Sequence, residues 1–219
     1  MIKAFLFDLN GTMIDDMPYH ITAWHEIFNR FGANFSREEA MAECYGKNDE
    51  ILDRIFPGKF SQAEKNEISI TKETAYQKAY LPYLKLIDGL PALLEEAKKQ
   101  DIKMAIGSAA IMFNIDFVLD NLNIRHYFGA IVSADDVEIS KPNGETYIKC
   151  AEALGVQSYE CIVFEDVPKG VESANNADML SIVIEGKQHL REEFSHFKNI
   201  ISFIKDYTTL EINILVKNN

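Results

Sequence analysis

Phe5-Leu6-Phe7 is an apolar run that stops on a carboxylate, Asp8, and turns at Gly11. Such a run reads as a short buried strand. Asp8 then stands at its carboxyl end, where open α/β sheets place their ligands. A carboxylate there is either a metal ligand or a nucleophile that forms an acyl phosphate. Two residues on, a second acid would serve as proton donor and acceptor. The chain has Asn10 instead, and an amide cannot fill that role at neutral pH.

Further along, short β-like runs alternate with helical patterns, which is the signature of a parallel sheet covered by helices. The expected strands are residues 3–9, 102–107, 130–133, 161–165 and 180–184. Helical patterns over 90–99, 113–122, 147–154 and 170–177 separate them.

Between the first two strands the rhythm changes, and residues 15–83 carry helix signals only. Pro18 beside an Asp cap opens one helix, with Ile21, Trp24, Ile27, Phe28 and Phe31 on its apolar face and Gly32 at its end. Ser36-Arg37-Glu38-Glu39 and Ser61-Gln62-Ala63-Glu64 both match the capping box. About seventy residues of helix are too many for one short crossover. The expected fold class is therefore α/β, a Rossmann-like parallel sheet core with an inserted all-helical cap domain. The core would comprise 1–14 and 84–219, and the cap 15–83.

The net charge of −12, from 34 acidic and 22 basic residues, argues against a nucleic-acid binder, because phosphate contacts need a basic surface. Three scattered cysteines (Cys44, Cys150, Cys161) suit neither a disulfide framework nor a zinc site. No stretch is long and apolar enough to span a bilayer, and no signal segment precedes the first strand. The expectation is a cytoplasmic protein with no membrane partner, and nothing demands more than a monomer.

Four pieces fall at or beyond the ends of four expected strands: Asp8, Ser108, Lys141 and the pair Glu165-Asp166. In a parallel sheet those ends converge on one rim. Carboxylates there hold Mg²⁺ through oxygen, an ammonium neutralises phosphate charge, and a hydroxyl with nearby amides binds phosphate oxygens. Each piece alone has an ordinary explanation, such as a turn acid, a helix cap or a surface loop. Their joint occurrence in this order does not.

Asp8-Leu9-Asn10-Gly11-Thr12, Gly107-Ser108-Ala109, Ser140-Lys141-Pro142-Asn143 and Phe164-Glu165-Asp166 followed by Gly170 resemble the four motifs of the haloacid dehalogenase (HAD) superfamily. Their order and spacing are similar to those of the β-phosphoglucomutase and sugar-phosphate phosphatase subfamily, which has a helical cap after the first motif. The resemblance implies that Asp8 is the phosphoryl-accepting nucleophile. It implies that Mg²⁺ is held by Asp8, the carbonyl of Asn10 and Asp166, with Glu165 beside it. Ser108, with Ala109 in the same motif, and Lys141 would bind the phosphoryl group. The chain departs from the family at Asn10, and more mildly at Gly144, where proline is frequent.

In the cap, Asp15, Tyr19, His20 and Trp24, together with Lys72 four residues before Tyr76, resemble the mutase pattern. His20, Trp24, Gly46, Lys47 and Lys72 are the expected substrate-binding residues, although His20 also reads as a helix-face polar residue and Trp24 as core. Asp49 stands where the mutase has an arginine that grips a second phosphate, and a carboxylate would repel it. Met112 stands where the mutase has an asparagine. The expected activity is an Mg²⁺-dependent phosphatase acting on a small phosphorylated metabolite, a sugar phosphate by resemblance. A hexose-phosphate mutase is the alternative. A catalytically impaired metal- and phosphate-binding protein is the second alternative, which Asn10 supports.

Overall fold

The computed structural model describes residues 1–186 and 189–217, the last by its backbone only. Two compact units make up the chain: Met1–Asp15 with Lys85–Asn219, and Asp16–Leu84.

In chain order the elements are β1 (Ala4–Phe7), α1 (Met17–Arg30), α2 (Arg37–Glu43), α3 (Asn48–Ile55), α4 (Gln62–Tyr80), α5 (Leu90–Lys99), β2 (Lys103–Gly107), α6 (Met112–Leu122), β3 (Ala130–Val132), α7 (Glu145–Leu154), β4 (Cys161–Glu165), α8 (Pro168–Asn176), β5 (Leu180–Ile184), β6 (Ile200–Ile204) and α9 (Ile212–Lys217). The strands form one sheet in the order β3-β2-β1-β4-β5-β6, with every pair parallel. The strand order reverses beside β1, and crevices at such a reversal take ligands. Expected and observed strands agree to within one or two residues at their ends. The sixth strand, Ile200–Ile204, was not expected; it lies at the edge of the sheet and is only partly buried, although four of its five residues are apolar.

All four residues of β1 are fully buried, and the two faces differ because side chains alternate along a strand. Ala4 and Leu6 join Tyr147, Cys150 and Ala151 of α7 and Ala174 of α8 in one cluster. Phe5 and Phe7 meet Phe164 at ring distances of 5.4 and 4.7 Å. Tyr207 extends that aromatic layer 5.7 Å from Phe164 and donates its hydroxyl proton to the Thr12 carbonyl. This bond ties the loop after β1 to the last part of the chain.

The inserted unit is helical throughout. Both expected capping boxes form: Ser36 accepts from Glu39 N–H, and Ser61 accepts from Glu64 N–H. The apolar face of α1 supplies Trp24, Ile27 and Phe28 to a core completed by Ala40, Ile51, Leu52, Phe56 and Ile68. Gly32 closes the α1 region at φ +94° with space around its Cβ position, so it serves backbone conformation rather than packing.

Among the described residues no helix is long and apolar enough to cross a membrane. All three cysteines are free. Burial is the first cause that pushes each thiol up to about 12.

Phe28 is fully buried and touches Trp24, Phe35 and Phe56. Phe28→Ala should therefore destabilise the helical unit by about 3–5 kcal/mol, measured by urea unfolding followed by circular dichroism.

Candidate active site

The loop after β1 continues the sheet for one residue, with Asp8 N–H donating to Phe164 O at 3.0 Å. The chain then turns tightly: Gly11 N–H donates to Ile14 O, and Met13 N–H to Leu9 O. Gly11 sits at φ +79°, and a Cβ there would run into the Asp166 carboxylate. Glycine is required on both counts. Thr12, fully buried, donates its hydroxyl proton to Asp166 Oδ1 at 3.1 Å. The first motif thus shapes the place where the fourth motif delivers its acid.

Glu165 ends β4 and is fully buried, and Asp166 follows it. Glu165 Oε2 accepts from Asp166 N–H at 3.1 Å, which folds the glutamate back over its own strand end. Gly170 makes room for this. A Cβ at Gly170 would overlap the Glu165 carboxylate.

Lys141 reaches the same point from the loop before α7. That loop is fixed from both sides. Glu145 accepts from the N–H groups of Glu138 and Ile139, Ser173 donates to Asn143 O at 2.6 Å, and Asn176 donates to Pro142 O at 2.9 Å. Gly144 begins α7 at φ −72°, a backbone angle open to any residue. Its glycine is explained by packing, because a Cβ would lie 3.0 Å from the Asn176 and Ala177 backbone.

The four groups meet around one ammonium. Lys141 Nζ lies 2.7 Å from Asp8 Oδ1, 2.6 Å from Glu165 Oε1, 3.0 Å from Gly107 O and 2.8 Å from the Tyr147 hydroxyl. Asp8, Glu165 and Asp166 each offer a carboxylate oxygen within 4.8 Å of the others. Burial, opposed by Lys141 and reinforced by Glu165, pushes the Asp8 carboxyl up to about 7. Burial, then Glu165 and Asp8, drives Asp166 well above the usual carboxylate range. Burial opposes the charge on Lys141, but the Asp8 and Glu165 carboxylates outweigh it and hold the ammonium above its ordinary value. Three buried acids against one base resist ionising together in a region of low dielectric, so Asp8 and Asp166 hold their protons more tightly than usual. Oxygen donors so arranged fit a hard divalent cation.

Ser108 follows β2, next to β1, and is buried, with its N–H donating to Val132 O and its Oγ accepting from Ala110 N–H at 3.1 Å. Ala109, half-buried, lies between them in the loop before α6. Asn10 is half-buried in the turn after β1.

The remaining expected residues belong to the helical unit. Trp24 and Lys72 are each 2% exposed, with Trp24 stacked on Phe28 and Lys72 Nζ 5.0 Å over the Trp24 ring. Lys72 Nζ also lies 2.7 Å from His20 Nδ1 and 2.9 Å from Glu73 Oε1. The other His20 nitrogen is 3.2 Å from Asp16 Oδ2, and the ring stacks on Tyr76 at 3.8 Å. Donation by Lys72 to Nδ1 suits the tautomer protonated at Nε2. Gly46, at φ +85°, and Lys47 lead into α3, where Lys47 N–H donates to Glu50 Oε2. These partners of His20, Trp24 and Lys72 all belong to the helical unit.

Residues 5–184 match the family model of haloacid dehalogenase-like hydrolases. The chain belongs to this family. The fructose-1-phosphate phosphatase YqaB of Escherichia coli is 31% identical over 80% of this chain and 93% of its own length. The β-phosphoglucomutase of Bacillus subtilis is 30% identical over 83% of this chain and 82% of its own. A HAD hydrolase of family IA, variant 3, from Entamoeba histolytica superposes with a TM-score of 0.85 at 28% identity, covering 98% of each chain. This HAD chain thus has both sugar-phosphate phosphatases and a phosphomutase among its relatives.

Sequence reading did not single out Tyr147 or Tyr207 for the site, nor the packing role of Gly170. Tyr147 lies six residues after Lys141, at the first turn of the helix that follows the lysine loop. That spacing is the only trace it leaves in the sequence.

Gly170→Ala should lower the melting temperature by several degrees and displace Glu165, because the added methyl has no free space. A thermal melt beside the parent checks this, and an unchanged melt would mean that the carboxylate has another resting place.

Proposed function

We propose that the protein is an Mg²⁺-dependent phosphatase of a small phosphorylated metabolite, acting through an aspartyl-phosphate on Asp8. The observation that carries this reading is the buried cluster of Asp8, Glu165 and Asp166 around Lys141. The sugar-phosphate class is taken from the relatives. Asp8, the Asn10 carbonyl and Asp166 would hold the metal, with Glu165 beside it. When bound, Mg²⁺ supplies positive charge for the phosphoryl oxygens.

The residues of the chain do the rest. An Asp8 oxygen attacks phosphorus, the ester P–O bond breaks, and the leaving oxygen departs with its electron pair. Lys141 and the Ser108 loop neutralise and orient the transferring group. Water then attacks phosphorus on Asp8, releasing phosphate and restoring the carboxylate. Protons move at two points: onto the leaving oxygen, and away from the attacking water. Asn10 can supply neither transfer, and Lys141 is held firmly in its charged form. Dephosphorylation is therefore the slow step, and good leaving groups are favoured in the first.

The mutase reading draws on the Bacillus relative. Against it, α3 opens with Asp49 and Glu50 in its first turn, which makes that helix terminus unfavourable for a second phosphate.

Asp166→Ala should weaken Mg²⁺ binding by about tenfold or more, since even outer-shell changes at metal sites cost that much. Calorimetry measures it directly, and unchanged affinity would place the cation elsewhere. With Asp8 pushed up to about 7, the cation must displace a proton below that pH. Mg²⁺ affinity should therefore rise by about fivefold or more between pH 6 and pH 7, with proton release visible by titration in two buffers of different ionisation enthalpy.

Acetyl phosphate or p-nitrophenyl phosphate should give a burst of phosphorylated Asp8. Asn10→Asp should raise steady turnover by about 10²–10⁴-fold, the range of a positioned acid–base group. If Asn10→Asp leaves turnover unchanged while Asp8→Ala abolishes it, another residue carries the proton.

A further inference from the structure

Tyr147 projects from the first turns of α7 and is fully buried, with its ring against Gly107, where a Cβ would lie 3.0 Å from Cε1. Its hydroxyl is 2.8 Å from Lys141 Nζ and 2.6 Å from Glu165 Oε1. A phenol has one proton to give. Glu165 Oε1 also lies 2.6 Å from Lys141 Nζ, so that oxygen is an acceptor. The Tyr147 proton therefore goes to Glu165, and the hydroxyl lone pair accepts from Lys141.

The donor count at Lys141 is informative. Its ammonium has three N–H groups, while Asp8 Oδ1, Gly107 O, the Tyr147 hydroxyl and Glu165 Oε1 all lie within hydrogen-bond reach. To serve a phosphoryl oxygen, Lys141 must release one of them. Glu165 Oε1 is the acceptor that already has a second donor, the Tyr147 hydroxyl, and Oε2 is served by the Asp166 N–H. With the hydroxyl present, the ammonium can turn without leaving a buried carboxylate oxygen bare. Without it, the turn costs the full penalty of an unsatisfied buried acceptor.

We propose that Tyr147 is a positioning residue for Lys141: its hydroxyl takes over Glu165 when the ammonium turns to the phosphoryl group. This rests on the reading of Lys141 as the phosphoryl clamp. Tyr147 touches no reacting atom, and its effect is to make the lysine available.

Inorganic phosphate, titrated calorimetrically in saturating Mg²⁺, is the probe. Tyr147→Phe keeps the ring and should weaken phosphate binding by about tenfold, the usual scale for a hydrogen bond to a charged group. Mg²⁺ affinity and melting temperature should hold. Tyr147→Leu, which also removes the ring, should lose phosphate affinity to the same extent and in addition melt lower. Phosphate affinity within twofold of the parent in Tyr147→Phe would overturn the proposal. So would a loss that appears only together with collapse of the melt or of Mg²⁺ binding, since that is a structural role. The phosphatase reading fails separately, if the parent binds phosphate but never forms phosphorylated Asp8. A parent that binds no phosphate overturns both.

Discussion

One ammonium holds the site together. Lys141 bridges Asp8 and Glu165, and these two carboxylates, with Asp166, would otherwise face each other in a buried pocket with no counter-charge. Like charges at such distances are costly in low dielectric. The burial of Lys141, the closure of its loop by Glu145, Ser173 and Asn176, and the glycine that lets α7 start against α8 all serve to bring one cation to one point. A divalent cation would supply the further positive charge that lets all three carboxylates ionise. Without it, the three carboxylates have one ammonium between them.

Much of this was legible in the sequence because the residues involved do two jobs that leave marks. Asp8, Glu165 and Ser108 end strands, so apolar runs point at them. Gly11 and Gly170 were visible as parts of motifs, but their reason was not: each is glycine because a carboxylate occupies the space a side chain would need. For Gly11 that carboxylate, Asp166, comes from a distant part of the chain, and for Gly170 it is that of Glu165, folded back from the preceding strand end. Tyr147 was hidden for a similar cause. On its helix it reads as an ordinary apolar-face aromatic, and only the fold shows that its hydroxyl ends between a lysine and a glutamate. Strand β6, Ile200-Ile201-Ser202-Phe203-Ile204, was missed although it carries an apolar run, and the fold places it at the sheet edge.

The helical unit repeats the theme of buried charge in another form. Asp16, His20, Lys72 and Glu73 are all nearly inaccessible, linked through one imidazole and flanked by Tyr76 and Trp24. Asn48 adds donors to Ser69 and Glu73, so the network spans three helices of the unit. Satisfied networks of this kind fix one packing arrangement among several that an apolar core would tolerate. His20 and Lys72 looked like ligand contacts from their place on the helices. Within their unit they are equally members of an internal lattice of hydrogen bonds, a role that the capping and apolar periodicity did not reveal.

The position of β1 carries a consequence for how the protein comes to be folded. It is the first strand of the chain and lies in the interior of the sheet, yet its neighbours β2 and β4 lie roughly 100 and 160 residues away in sequence. Asp8 therefore has no environment until two long loops have closed. The inserted helices shorten the first of these in effect, because their capping boxes and local contacts can form on their own and convert a floppy connection into a compact one. An insertion after β1 thus lowers the entropic barrier to completing the sheet that it interrupts. During synthesis β1 cannot complete its pairing on both sides until the chain has emerged as far as Glu165.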